Sequence, residues 1–592
     1  MMYIEVVLKM GYNYSINIMR SSFMTVIFNR IITYAVAIIC FFSSLFGIAD
    51  AKKIIAKEYE IMGSGSCEVG NGRVSIHDPS IIQNEDGTYY IFGTHGCAAK
   101  SDDMINWTSF ACGVNDNNSM LVPENTTLRK ALSEPLSWTD AYQQVNNYSE
   151  SDWQTNIWAA DVIYNEKLGK YCYYASSSVW GTPGSVIWFA TSDNIEGPYK
   201  YESSIVYSGF NNKTSNDKFY SRTNSLHYSF TNISELFKNG SLTVNDLKNA
   251  PWFNEFGDYD HTVFPNCIDP ALFYDADGKL WMAYGSYFGG TYIMPMVENT
   301  GLPDYEYMRN HDGYDIYFGK KIVSTTFDND LSGEGAYIEY DKESGYYYLF
   351  ISYHGLNALG GYNIREYRSE NPDGPFIDAM GNSALEQKNT GAKLFGCYKF
   401  DCLNTAYLSA GHSSCLIDDN GKIFQVYHTR FNVGHDGYET RIHQMARTEN
   451  GWTVVLPFEY SGEVIENKEY SLDEICGEYE FINHGNISNC CSNWTDVNNI
   501  IAPTQKIILN RDGTISGLKS YECIKENTAI SSKDVSGNWE MISGTYYVTF
   551  TIDNVEYKGV FCKQNDESAE NKEKLVFSAI GENNQCIWGV KQ

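Results

Sequence analysis

The sequence predicts an all-β chain: a five-bladed β-propeller followed by a small β-rich, barrel-like C-terminal domain. Three observations point there. A weak hairpin pattern recurs five times between residues 77 and 427. No alternation of strands with helical periodicity accompanies it, which disfavours a βα barrel. After about Pro457 the pattern changes to short alternating runs, with six cysteines in residues 470–592.

The N-terminus reads as a leader. Arg20 and Arg30 precede an apolar run from Ile31 to Ala49, and an Ala49-Asp50-Ala51 triplet offers small residues where a signal peptidase cuts. Residues 1–51 are therefore expected to be a signal peptide and leader, 52–465 the propeller and 466–592 the accessory domain. A retained signal anchor is the alternative, because a run of that length can span a bilayer.

Five units carry the propeller. The first is His77-Asp78-Pro79-Ser80-Ile81-Ile82, a Glu85-Asp86-Gly87 turn and Tyr89-Tyr90-Ile91-Phe92. The second runs from Trp158-Ala159-Ala160-Asp161 through Gly169-Lys170 to Tyr171-Cys172-Tyr173-Tyr174. The third joins Ile268-Asp269-Pro270-Ala271 to Leu280-Trp281-Met282 through Asp277-Gly278. The fourth joins Glu334-Gly335-Ala336 to Tyr346-Tyr347-Tyr348 at Gly345, and the fifth joins Gly411-His412-Ser413-Ser414 to Ile423-Phe424-Gln425 at Asn420-Gly421. Asp-Gly and Asn-Gly supply the positive φ of tight hairpin turns. Spacings of roughly 65 to 110 residues leave room for two further strands per unit, which makes a four-stranded blade.

In a propeller the innermost strands line one axis, so Asp78, Asp161, Asp269, Glu334 and His412 are expected to converge at one end of it. Any one of these motifs is ordinary turn chemistry; five in corresponding positions are not. Like charges in a shared site drive pKa values apart, leaving one carboxyl protonated while another is ionised. Glycosidic hydrolysis needs such a pair.

Formal charge is −30, which repels nucleic acid and anionic membranes. The 46 Tyr and 12 Trp suit both strands and sugar contacts. Of fifteen Cys, Cys40 lies in the leader, and no Cys/His zinc spacing occurs. Local pairs Cys397–Cys402, and Cys476 with Cys490 or Cys491, are plausible disulfides in an exported chain. Nine Asn-x-Ser/Thr triplets beyond the leader agree with export.

At these motifs the chain resembles glycoside hydrolase family 43, over roughly residues 70–465, and within it the endo-α-1,5-L-arabinanases. The matching stretches are His77–Ile81, Trp158–Asp161, Asn266–Pro270, Gly285–Gly290, Glu334–Ala336, Gly411–Ser414 and Val426–Arg430. Ala160 and Ala336 stand where the family has proline, and every carboxylate is kept. The resemblance implies a secreted, inverting hydrolase of arabinan, with Asp78 as general base, Glu334 as general acid and Asp269 as the group that tunes and holds Glu334. It implies that Trp158, Asp161, Asn266, Ser286, Tyr287 and Phe288 lie along the sugar, and that His412 helps hold a hydrated calcium ion on the axis. The expected partner is the polysaccharide alone, bound by a monomer with no stable membrane association after leader cleavage. A β-xylosidase, an exo-acting α-L-arabinofuranosidase and a non-catalytic sugar-binding propeller remain alternatives at this level.

Residues 101–150 and 205–262 are polar insertions. The first is expected as surface loops, the second as partly helical. Residues 470–592, with runs such as Tyr546–Phe550, are expected to brace the propeller.

Overall fold

A computed structural model describes residues 65–147, 156–215, 224–324, 333–386, 390–431, 437–486, 500–521 and 532–592. The leader, Cys490 and Cys491 fall outside these residues. Among the described residues, no helix is long and apolar enough to cross a membrane.

Five antiparallel sheets follow one another, each built from consecutive strands. Blade 1 spans Ser80–Gln83 to Thr108–Ala111, blade 2 Trp158–Asn165 to Lys200–Tyr207, and blade 3 Ala271–Tyr274 to Lys320–Val323. Blade 4 spans Glu334–Asp341 to Ala392–Phe395, and blade 5 Tyr407–Ile417 to Thr453–Glu459. The innermost strands touch in cyclic order and close a ring.

The aromatic runs show why this sequence makes blades. A strand flanked by sheets on both faces buries every residue, so alternation is replaced by a continuous apolar run. Tyr173 packs toward blade 1 while its neighbour Tyr174 packs toward blade 3. Trp281 faces blade 4 and Met282 blade 2; Tyr347 faces blade 3 and Tyr348 blade 5. Period-2 side-chain direction thus feeds two separate cores from one strand. The seam between blades 5 and 1 is strapped by residues 74–76, where Ser75 Oγ donates to the Tyr438 carbonyl (2.8 Å) and Ile76 exchanges bonds with the Thr440 hydroxyl.

The first insertion differs from its expectation. It contains a 13-residue helix, Ser133–Val145, preceded by the short helix Leu128–Ala131. Leu128, Leu132 and Leu136 recur every fourth residue on one buried face, a periodicity diluted in the sequence by the polar residues around it. The second insertion contains two short helices, Ile233–Lys238 and Val244–Asn249. The disulfide expectation also changes. Cys397 and Cys402 are free thiols, and the bond in the structure is Cys97–Cys112, between the third and fourth strands of blade 1, which sequence distance alone did not single out.

Beyond blade 5, strands from Gly477–Asn483 to Cys586–Lys591 form a closed barrel. Its interior is filled with side chains, Tyr479, Phe550, Phe561 and Phe577 among them. The same apolar core continues without a break into blades 4 and 5. Trp588 of the barrel stacks on Phe395 (5.6 Å between ring centres) and lies against His443 of blade 5. Gln564 exchanges two hydrogen bonds with the Phe458 backbone, and the Tyr407 hydroxyl donates to Glu567 at 2.5 Å.

Candidate active site

Each innermost strand has, within it or two residues before it, a residue whose φ is positive: Asp78 (55°), Ala159 (44°), Asp269 (58°), Gly335 (62°) and His412 (46°). Four of the five are not glycine. Left-handed backbone costs an L-residue of order 1 kcal/mol or more, so the ring concentrates strain at one level of the axis. Register shifts accompany it in blades 2, 4 and 5, as expected where bulges re-aim side chains. At Gly335 a Cβ would lie 2.8 Å from the His412 ring, so glycine lets that ring close over the strand.

This regularity refines the expected set. Asp78, Asp269 and His412 are true equivalents. Glu334 stands one residue before the left-handed position of its blade, and Asp161 stands two residues after. Asp161 takes a structural place among the blades. It is buried, with one carboxylate oxygen bonded to the Ser80 hydroxyl and the other accepting from the Leu272 N–H at 2.6 Å. It ties blades 1, 2 and 3 together. Burial pushes its pKa up to about 6, against the pull of those hydrogen bonds.

Asp78 is held on every side. His77 Nδ1 lies 2.6 Å and His412 Nδ1 2.9 Å from one oxygen, and the Thr94 hydroxyl donates to the other at 2.5 Å. Burial alone would raise the Asp78 pKa, but the charges and hydrogen bonds of His412 and His77 outweigh it and hold the carboxylate well below its usual range. His428 stacks on His77 at 3.8 Å and its Nδ1 accepts the Asp78 backbone N–H. That geometry requires an unprotonated Nδ1, and burial keeps His428 neutral. These three residues bring ligand atoms within 4.8 Å of one another; their stacking and backbone bond make them a cradle for the Asp78 carboxylate.

Glu334 lies across the ring on blade 4 and has the opposite character. Burial first, then the neighbouring Asp269 carboxylate, raise its pKa to about 8. Asp269 is itself raised to about 7, by burial and, against the pull of His412, by Asp78, and it accepts the Gly335 N–H at 3.4 Å. His412 stays protonated: burial opposes its charge, but Asp78 and then Asp269 overcome this and lift its pKa to about 9. One carboxyl is thus ionised and another protonated near neutrality, on non-adjacent blades of a shared site.

The axial cavity behind these groups has about 20 Å³ of free volume and is lined by Asp78, Asp161, Asp269 and His412 among others. Its donor set fits a hard cation. The carboxylates that raise the imidazole's proton affinity attract any positive charge, and oxygen ligands suit calcium.

The remaining expected residues fall around this centre. Trp158 sits at the rim, and the N–H of the next residue, Ala159, donates to the Thr94 hydroxyl at 2.9 Å. Asn266 is buried, its amide oxygen accepting from Ser185 and Ser208, so its amide nitrogen is left for other contacts. Ser286 is buried at the end of its strand. The Tyr287 hydroxyl donates to the His354 carbonyl, and Phe288 meets the edge of His261 at 5.5 Å.

Sequence reasoning missed three participants. Thr94 precedes a left-handed His95 in a short turn and belongs to no motif. Trp180 is 68% exposed and stands edge-to-face with Trp158 at 5.9 Å. Tyr362 donates to Glu334 Oε1 at 2.9 Å.

Comparison with known proteins gives the family and the fold. Residues 213–453 match the glycosyl hydrolases family 43, and residues 457–589 match its C-terminal lipocalin-like domain. An extracellular endo-α-(1→5)-L-arabinanase of Thermotoga petrophila is 36% identical over 87% of this chain and 93% of its own length. Extracellular endo-α-(1→5)-L-arabinanase 2 of Bacillus subtilis is 34% identical over 88% and 93%. The crystal structure of a Thermotoga petrophila endo-1,5-α-L-arabinanase superposes with a TM-score of 0.68 at 34% identity, covering 88% of this chain and 99% of that one.

Proposed function

Because this chain belongs to glycosyl hydrolase family 43, we propose that it is an exported endo-acting hydrolase of α-1,5-linked L-arabinan. The observation that carries the reading is the split between an ionised Asp78 and a protonated Glu334 on opposite sides of one site. It is what single-displacement hydrolysis with inversion requires. Asp78 accepts a proton from the attacking water. Glu334 donates its proton to the leaving sugar oxygen as the bond breaks. Asp269 keeps Glu334 protonated through its field and holds the Gly335 backbone beside it. Trp158 and Trp180 offer apolar faces to furanose rings, and Phe288 faces the other side of the opening.

A cation, calcium in this reading, would be held by His412 in its unprotonated form, with water completing its shell, so that the ion takes the place of the imidazole proton. It would supply positive charge to the neighbouring carboxylates. Dialysis against a chelator is expected to remove about one ion per chain by elemental analysis and to lower the melting temperature by roughly 2–5 °C. An ion-free protein with an unchanged melting temperature refutes the cation.

The substrate test is release of reducing ends from linear α-1,5-arabinan with sizing of the products. A spread of oligosaccharides early in the reaction is expected. Release of arabinose alone overturns endo action, and activity only on xylan overturns the substrate.

A further inference from the structure

We infer that Tyr362 is a positioning residue for the proton donor: its hydroxyl fixes one oxygen of the Glu334 carboxyl so that the other presents the proton to the leaving group. The inference rests on the glycosidase reading above and extends it to a residue outside the acidic trio.

The contact is built from several independent features. Tyr362 is 1% exposed, so its hydroxyl needs a partner inside the protein. That partner is Glu334 Oε1, at 2.9 Å. The backbone beneath the ring is locked: the Tyr362 N–H donates to the Gly355 carbonyl (3.1 Å), and the Gly355 N–H donates to the Gly360 carbonyl (3.0 Å). The ring lies against Gly411, where an added Cβ would come within 2.1 Å of it. The glycine of the Gly411–Ser414 motif therefore makes room for this tyrosine. Asp269, by contrast, bonds the Gly335 backbone, so among the described residues Tyr362 gives the Glu334 carboxyl its direct hydrogen bond. A carboxyl held through one oxygen cannot rotate, and orientation of an acid is worth a large share of its catalytic effect.

The test compares wild type with Tyr362→Phe and Gly411→Ala on two substrates, linear arabinan and the 4-nitrophenyl glycoside of an α-1,5-arabinotriose. Nitrophenolate departs without protonation, whereas a sugar alkoxide does not. Tyr362→Phe is expected to lower kcat on arabinan about 30-fold, with KM within about 2-fold, and to lower kcat on the nitrophenyl substrate by less than about 3-fold. Gly411→Ala, which displaces the same ring, is expected to show the same split. The titratable groups facing Glu334 are Asp269, His412, Asp78, Tyr362 and Tyr287. Loss of the tyrosine bond, which favours the ionised acid, moves the alkaline limb of the pH profile upward. Equal losses on both substrates, or an unmoved alkaline limb with full arabinan activity, overturn the assignment. A wild-type protein that cuts neither substrate removes the glycosidase reading, and this inference with it.

Discussion

Glu334→Gln lowers kcat/KM on linear arabinan by about 10³-fold or more, and Asp78→Asn does so to a similar extent. Each decade corresponds to about 1.4 kcal/mol of transition-state stabilisation, so each residue supplies about 4 kcal/mol. The two losses have different signatures. The Gln variant lacks the proton donor and recovers part of its rate on substrates with good leaving groups. The Asn variant lacks the base and gains nothing from them. The pH profile separates them again. Glu334 acts as the protonated form and its pKa is raised to about 8, so wild-type activity falls as pH rises through that value. Asp78 acts as the ionised form and is held well below the usual carboxylate range, so the acid limb lies low. Initial rates up to pH 10 locate the alkaline limb, and activity that has not yet fallen at pH 4 checks the acid side. A Glu334→Gln variant that keeps the wild-type alkaline limb means that another group is the acid.

The second large effect concerns the barrel. A chain ending at residue 465 is expected to be insoluble or to unfold without a cooperative transition. The cut exposes Phe395, Tyr398, His443 and Phe458, all buried in a core that runs from blades 4 and 5 into the barrel. Each large apolar side chain returned to water costs about 1.5–3 kcal/mol, and a handful of them exceeds the roughly 5–15 kcal/mol by which a domain is stable. The polar seam fails too, because the Phe458 backbone groups lose Gln564 and the Lys393 N–H loses the Asn584 carbonyl. Trp588→Ala in the full chain is the graded version, with an expected loss of about 3–5 kcal/mol. Soluble yield and thermal unfolding measure both. A truncated propeller that folds with the melting temperature of the whole chain makes the barrel a separable module.

Much of this was legible in the residues. The Asp-Gly and Asn-Gly turns placed the hairpins, and the aromatic runs through Tyr173-Tyr174 and Tyr347-Tyr348 marked their return strands. Asp78, Asp269, Glu334 and His412 could be singled out because repeats align what lies far apart in sequence. What escaped depends on sub-residue geometry. Asp161 looks equivalent to Asp269 by spacing, but the left-handed residue of its blade is Ala159, which drops the carboxylate below the working level. Tyr362 stands alone after a glycine-rich turn, and only the ring lying on Gly411 reveals its purpose. The Ser133–Val145 helix hid because its apolar residues face two different cores, Leu136 one and Trp138 the other, with polar residues between them, and the Cys97–Cys112 bond because strand pairing, not chain distance, brings its ends together.

The ring closes without any strand crossing from one sheet to the next: every blade is a single uninterrupted stretch of chain, and residues 74–76 act only as a clasp. Such an arrangement makes the blade a cassette. Blade 2 carries Trp158 and Trp180, while the acid, the base and the carboxyl that tunes the acid reside on blades 4, 1 and 3. The tryptophan pair and the acidic trio are therefore inherited on different segments, and exchanging blade 2 between relatives changes the aromatic surface while leaving the three acids in place.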